Sequence, residues 1–174
     1  MAELPTFTTE RLIVRPRVLR DLDALMAMDA EPDVMRFIGD GSLPDPANHR
    51  AELIEPIARD FGFMLGWWSV VRQDAPDEFL GCVCLVPLPG HDMVEIGWRF
   101  RTCAWGNSYA TEAAQRLVHH AFGEAGLDAI VAVVKPQNAR SLRVVAKLGL
   151  LPAGTCIAYG EELLLFRLRR PIGS

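Results

Sequence analysis

No apolar run in the chain approaches the roughly 20 residues that cross a bilayer. The opening Met1-Ala2-Glu3-Leu4-Pro5 lacks the basic segment followed by an apolar one that marks a secretory leader. Neither export nor membrane insertion is expected, and the expected compartment is the cytoplasm. Cysteine is sparse. Of the four, Cys82 and Cys84 stand two apart in a strand-like run and so share a face, while Cys103 and Cys156 lie far from them. With no Cys-x-x-Cys pair, core thiols in a reducing compartment are favoured over a metal site or a disulfide framework. Positive charge is not in excess either. The formal net charge of -4 argues against a nucleic-acid surface, and Arg167, Arg169 and Arg170 form a small basic tail of a kind that is usually solvated. Low-complexity segments and internal repeats are absent. So is His-Glu-x-x-His: His119 and His120 are adjacent on a helix and diverge by about 100 degrees, so they read as helix-surface residues and no metal is expected.

What remains is 174 residues, 50% apolar and 23% charged, the balance of one globular domain over 1–174 with a single sizeable core. Residues 8 to 15 read as a strand, and 19 to 30 as a helix with Leu22, Leu25, Met26 and Met28 in its apolar stripe. A second helix follows the loop from Gly39 to Pro46, carrying Leu53, Ile54, Ile57, Ala58 and Phe61. Residues 67 to 71 and 79 to 86 form a hairpin. In 93 to 100, Val94, Ile96, Trp98 and Phe100 share one face while Glu95, Gly97 and Arg99 share the other. Trp67 and Trp68 point to opposite faces, one toward the core and one toward a groove. A helix over 108 to 123 buries Ala110, Ala114, Leu117, Val118, Ala121 and Phe122, and Gly123 and Gly126 end it. A strand at 129 to 134, a helix at 138 to 148 closed by Gly149, and strands near 153 to 159 and 162 to 169 complete the order β-α-α-β-β-β-α-β-α-β-β. The fold class is α/β in the α+β mixed-sheet sense. Helices lie on both faces, because the unit from 93 to 134 requires a right-handed parallel crossover.

The stretch with most chemical content is Trp105-Gly106-Asn107-Ser108-Tyr109-Ala110-Thr111-Glu112-Ala113, between a strand and a helix. A glycine-bearing turn that opens a helix exposes backbone N–H groups without intrahelical partners, which together with the helix dipole suit a pyrophosphate. An ordinary helix cap is the other reading of the same placement. There is no Gly-x-x-x-x-Gly-Lys-Ser/Thr, and no Gly-x-Gly-x-x-Gly follows a strand, so neither a nucleotide triphosphatase nor a dinucleotide enzyme is supported. Glu112 sits where it favours the helix N-terminus electrostatically.

The sequence resembles the GNAT acetyltransferase superfamily, in particular the branch of the RimJ and RimL ribosomal-protein N-acetyltransferases. The markers are Thr9-Glu10-Arg11-Leu12 with Arg15, Glu95-Ile96-Gly97-Trp98, Trp105-Gly106 through Tyr109-Ala110-Thr111-Glu112-Ala113, and Asn138-Ala139-Arg140-Ser141 leading to Lys147-Leu148-Gly149. They run through nearly the whole chain. The resemblance implies an acetyl-CoA-dependent N-acetyltransferase. The amides of Gly106, Asn107, Ser108, Tyr109 and Ala110 would hold the coenzyme A pyrophosphate. The strand through Trp98, Arg99 and Phe100 would pair with the pantetheine arm, and Asn138 and Ser141 would face the thioester. The family's phosphate motif puts Cys103 at its first position and Ser108 at its last. A serine where the family has glycine either costs about 1 to 3 kcal/mol of cofactor affinity or donates its hydroxyl to phosphate.

Acyl transfer needs a neutral nitrogen, a donor for developing negative charge and a proton for the departing thiolate. Glu95 fits the base, acting through a water, or is a solvated strand residue paired with Arg99. In the resemblance a backbone N–H near Trp98 polarises the thioester. Many relatives place an acidic tyrosine where this chain has Val145, which leaves Ser141 as hydroxyl donor or as a residue engaged in helix N-terminal hydrogen bonding. The partner implied is an amine, a peptide N-terminus or a small molecule, with its pocket shaped by the loop from Gly39 to Asn48 and the helix after it. A homodimer through a sheet edge is compatible with this order. The rival reading is a coenzyme A-binding or regulatory domain without turnover, because Cys103, Ser108 and Val145 depart from the family pattern.

Overall fold

The computed structural model describes residues 4–171. Its elements are β1 Phe7–Thr8, β2 Leu12–Pro16, a 3-10 turn Leu19–Asp21, α1 Leu22–Asp29, α2 Pro32–Met35, α3 Pro46–Ala58, β3 Gly66–Arg72, β4 Phe79–Pro87 and β5 Val94–Phe100. A second 3-10 turn, Thr102–Ala104, precedes α4 Tyr109–Phe122, β6 Ala129–Val134, α5 Ala139–Leu148, β7 Leu151–Ala158 and β8 Glu161–Arg169. The strands form one sheet in the order β1-β2-β3-β4-β5-β6-β8-β7. Among the described residues only β5 and β6 run parallel, joined by α4 as the predicted crossover.

Two elements depart from the predicted order. The run from 8 to 15 is broken by a turn in which Thr9 N–H donates to Leu12 O at 2.9 Å, which splits off the two-residue β1. Helix α2 is a single turn opened by Pro32, too short to show a periodicity.

The alternation read in the strands sets the layers. Leu12, Val14, Trp68, Val70, Val83, Leu85, Ile96 and Phe100 pack with Ala113, Ala114, Leu117, Val118 and Ala121 of α4. On the opposite face Leu22, Leu25, Met28, Val34 and Leu53 pack with Phe79 and Cys82. Trp68 is the core tryptophan, its indole N–H donating to Pro5 O at 2.8 Å, while Trp67 is half-buried among the α1-side residues. Cys82 and Cys84 are both buried. No helix among the described residues is long and apolar enough to cross a membrane.

His120 is not a surface residue. It is fully buried, edge-on to Trp68, with Nε2 2.9 Å from Met64 O and Nδ1 3.2 Å from Glu124. Both ring nitrogens find partners, and that is what allows an imidazole on the face continuing Ala113 and Leu117. His119 is exposed. The basic tail is also less free than expected, since Arg170 donates twice to Leu127 O.

Asp21 joins β2, β3 and the start of α1. It accepts hydrogen bonds from Arg15 Nη1 (2.8 Å) and Nη2 (2.6 Å), Ser69 Oγ (2.8 Å) and Val18 N–H (3.0 Å). Burial opposes its charge, but the Arg15 guanidinium and the other donors hold its carboxyl below the usual range. Asp21→Asn is expected to destabilise the fold by about 2 to 4 kcal/mol in urea titrations at pH 7. Because the folded-state pKa is lowered, Asp21 contributes stability above its unfolded value of 3.8 and loses it as pH falls through the folded value, so the deficit should narrow in acid.

Candidate active site

Strands β5 and β6 are in register at one pair, Glu95 with Val131, whereas β4 and β5 pair from Gly81–Phe100 to Pro87–Val94. Beyond Glu95, β5 stays with β4 and β6 turns to β8, so the carboxyl ends of the two parallel strands diverge. A crevice in this position is where open α/β sheets take ligands. A cavity of about 620 Å³ lies there. Its walls are Asp33, Val34, Phe37 and Ile38 from α2 and its exit, Trp98 to Phe100 of β5, Gly106 and Ser108 to Thr111 at the front of α4, and Asn138, Ser141, Val144 and Lys147 of α5.

The front of α4 is built to leave its amides open. Trp105 Nε1 donates to Phe100 O at 2.9 Å and pins the loop to β5, and Arg140 lies 4.0 Å over the Trp105 ring. Gly106 then turns through φ 80° and Ser108 through φ 62°, the left-handed region that explains why the family pattern has glycine at that last position. Ser108 does not cap the helix with its side chain. Among the described residues, the backbone N–H groups of 106 to 111 donate no hydrogen bond. Asn107 differs from its predicted neighbours, because its side chain donates to Ala104 O and Trp105 O and it does not line the cavity. Glu112 is a strut between the β1–β2 turn and α4. It accepts from Thr9 Oγ1 at 2.6 Å and from Arg11 N at 2.9 Å and Nε at 2.8 Å.

Cations face these amides. Arg140, Arg143 and Lys147, spaced three and four apart, project from one side of α5, and Lys147 Nζ lies 3.4 Å from Ser108 Oγ. Their helical spacing opposite buried Val145 and Leu148 is the sequence signal that would have found them. Asn138 caps α5, its side chain accepting from Ser141 N–H at 3.1 Å. The Ser141 hydroxyl has no hydrogen-bond partner among the described residues and lines the cavity. Val145 is buried.

Glu95 stands at the root of the crevice, outside the lining of the cavity. Burial pushes its carboxyl up to about 6, although the Tyr159 hydroxyl donates a hydrogen bond to it. It is not paired with Arg99. Four residues along a strand is roughly 13 Å, and Arg99 instead reaches Asp29 at 2.8 Å, a fully buried carboxylate that also meets His49 Nε2 at 2.9 Å. Sequence reading missed Tyr159. It occupies a two-residue turn with Gly160 between Ala158 and Glu161, at φ 54° and 81°, so the hairpin is type I′. A tyrosine in that conformation costs about 1 to 2 kcal/mol, and its hydroxyl is thereby carried to Glu95. The Tyr-Gly pair between two strand-length runs was the available signal. The loop from Gly39 to Asn48 and α3 do not line the cavity; α2 and the residues just after it do. Among the described residues no cluster of His, Cys, Asp and Glu suited to a metal is present.

The family model described as an acetyltransferase (GNAT) domain matches residues 11–151. The chain is 28% identical over 158 residues to the uncharacterized N-acetyltransferase YnaD of Bacillus subtilis (strain 168), covering 89% of each. It is 30% identical over 159 residues to the FsC-acetyl coenzyme A-N(2)-transacetylase of Aspergillus fumigatus, covering 84% of this chain and 65% of that protein. Among solved structures, the acetyltransferase from Agrobacterium tumefaciens superposes with a TM-score of 0.82 at 26% identity, covering 97% of this chain and 96% of that one.

Ser108→Gly removes a left-handed serine without removing an amide. It is expected to raise stability by about 1 kcal/mol in equilibrium unfolding. No gain would mean that the Lys147 contact to the hydroxyl offsets the backbone cost.

Proposed function

The chain belongs to the acetyltransferase (GNAT) family, and on that premise we propose that it transfers an acetyl group from acetyl-CoA to a primary amine. The observation that carries this reading is the set of undonated amides at 106 to 111 facing the α5 cations across one crevice. That arrangement fits a diphosphate, since main-chain N–H groups and a helix dipole neutralise an anion without a dedicated side chain. Arg143 and Lys147 add charge from the other wall. The edge of β5 released by β6 at Trp98, Arg99 and Phe100 offers the backbone groups an extended pantetheine arm needs. Acetyl-CoA, when bound, supplies the acetyl as a thioester. The name of the Aspergillus relative, an acetyl coenzyme A transacetylase, supports that donor.

Glu95 is the proposed base. With its carboxyl near 6 it is mostly ionised at pH 7 and still basic enough to accept a proton through water. The Tyr159 hydroxyl holds it. Ser141, with its hydroxyl free and its amide already engaged by Asn138, is the proposed proton donor to the departing sulfur. An α-amine, with pKa about 8, is roughly a tenth neutral at pH 7, whereas a lysine at about 10.4 is below roughly a thousandth, so a base of this strength favours α-amines. The motif set supports a place beside the RimJ and RimL enzymes, with the whole chain as one unit. The free cysteines support a reducing compartment, the cytoplasm. The rival reading, a coenzyme A-binding domain without turnover, draws on buried Val145 standing where the family pattern has a tyrosine.

Calorimetry with coenzyme A should show saturable heat, and Lys147→Ala should weaken binding about tenfold. An absence of heat removes the assignment. With acetyl-CoA and an amine panel, thiol release separates a working enzyme from the rival. Under saturating substrates kcat should rise as pH rises through about 6, where Glu95 loses its proton. Glu95→Gln should lower kcat about a hundredfold and erase that limb; an unchanged profile excludes Glu95 as the base.

A further inference from the structure

The face of the sheet turned toward α1 carries a row of residues in register across four strands. Arg17, just past β2, donates its backbone N–H to Trp67 O at 3.0 Å; Trp67 pairs with Cys84, and Cys84 with Gly97. The Arg17 guanidinium lies over the Trp67 indole, 4.4 Å from the ring centroid. Arg17 is only 8% exposed. Its Nε is buried with no hydrogen-bond partner, and among the described residues no side-chain hydrogen bond or ion pair engages the guanidinium at all.

The acids on this face are already committed. Asp21 is taken by Arg15 and Ser69, Asp29 by Arg99 and His49, and Glu95 by the Tyr159 hydroxyl. Arg17 is the cation left over. A buried guanidinium without a counter-charge is costly, and stacking on one indole recovers only a small part of its lost hydration. The row runs toward the chemistry. Gly97 has no side chain, so the floor between Glu95 and Arg99 is the Cys84 thiol, and a Cβ at Gly97 would sit 2.9 Å from that sulfur. Burial drives the Cys84 thiol well up, Glu95 adds to this and Arg17 opposes it, so the opposite charges of Glu95 and Arg17 are both felt at the same sulfur. From Arg17 to Gly97 is three strand spacings, roughly 14 Å, and the guanidinium lying over Trp67 takes up the first part of that span.

We propose that Arg17 receives a carboxylate of the acceptor, and that the substrate is therefore a small amino acid-like amine and not a simple alkylamine. The proposal rests on the acetyltransferase reading with Glu95 as base. A planar guanidinium in a dry, aromatic-backed position matches a carboxylate bidentately. The same carboxylate would fix the amine at the Glu95 end of the row.

The test compares amino acids with their own carboxamides as acceptors, using acetyl-CoA, the full chain and thiol release, with rates expressed per neutral amine. Wild-type protein should favour the acid in kcat/KM by about thirtyfold or more. In Arg17→Met, which keeps an apolar stem over Trp67, the acid-to-carboxamide ratio should collapse to about one. Arg17→Lys should restore part of it. The ratio is internal to each variant, so partial loss of folded protein does not move it. Equal wild-type rates, a preference for carboxamides, or a ratio that Arg17→Met leaves intact overturns the role of Arg17 and leaves acetyl transfer standing. Release of thiol with neither member of any pair overturns the proposal, and the wider amine panel then decides separately whether acetyl transfer stands.

Discussion

Two parallel strands that touch at Glu95 and Val131 and then separate are the constraint from which the rest of the site follows. A fully zipped β5–β6 ladder would use up the main-chain groups of Trp98 to Phe100 and close the crevice. The separation is possible because each strand has another neighbour, β4 on one side and β8 on the other, so neither is orphaned when they part. The connections leaving the two carboxyl ends then deliver the front of α4 and the front of α5 to the same opening. Backbone donors come from one helix and cationic side chains from the other.

The α1-facing side of the sheet is organised differently, by charge. Asp21 and Asp29 are carboxylates buried among apolar helices, and each is tolerated because two or more donors surround it. These pairs fix α1 against β2, β3 and β5 more directionally than apolar contacts alone can. They also position Arg99, whose strand lines the cavity while its guanidinium is turned away toward α1.

The α/β class, the mixed sheet, the crossover and nearly every long element were legible in periodicity, because one face of each strand and one stripe of each helix had to be apolar. Placement also exposed the stretch at 106 to 110 and, through family likeness, Asn138 and Ser141, all of which the fold brings to one crevice except the side chain of Asn107. What sequence hid were relations across long separations. Tyr159 meets Glu95 from 64 residues away, Arg99 prefers Asp29 at a distance of 70, and His120 is buried because Met64 supplies a carbonyl 56 residues earlier. The short α2 was equally hidden, since one turn shows no period.

Helix α4 meets the sheet through methyl groups, Ala113, Ala114 and Ala121, with Leu117 and Val118 between them. Such small spacers make the helix ride low, and its height and tilt are set along the middle of its length, not at its mouth. The open amides at its front are therefore levelled from behind, as the end of a beam is by its bearings. A bulkier side chain at one of those alanines would re-aim every one of those donors at once, altering the grip on an anion without touching any group that makes it.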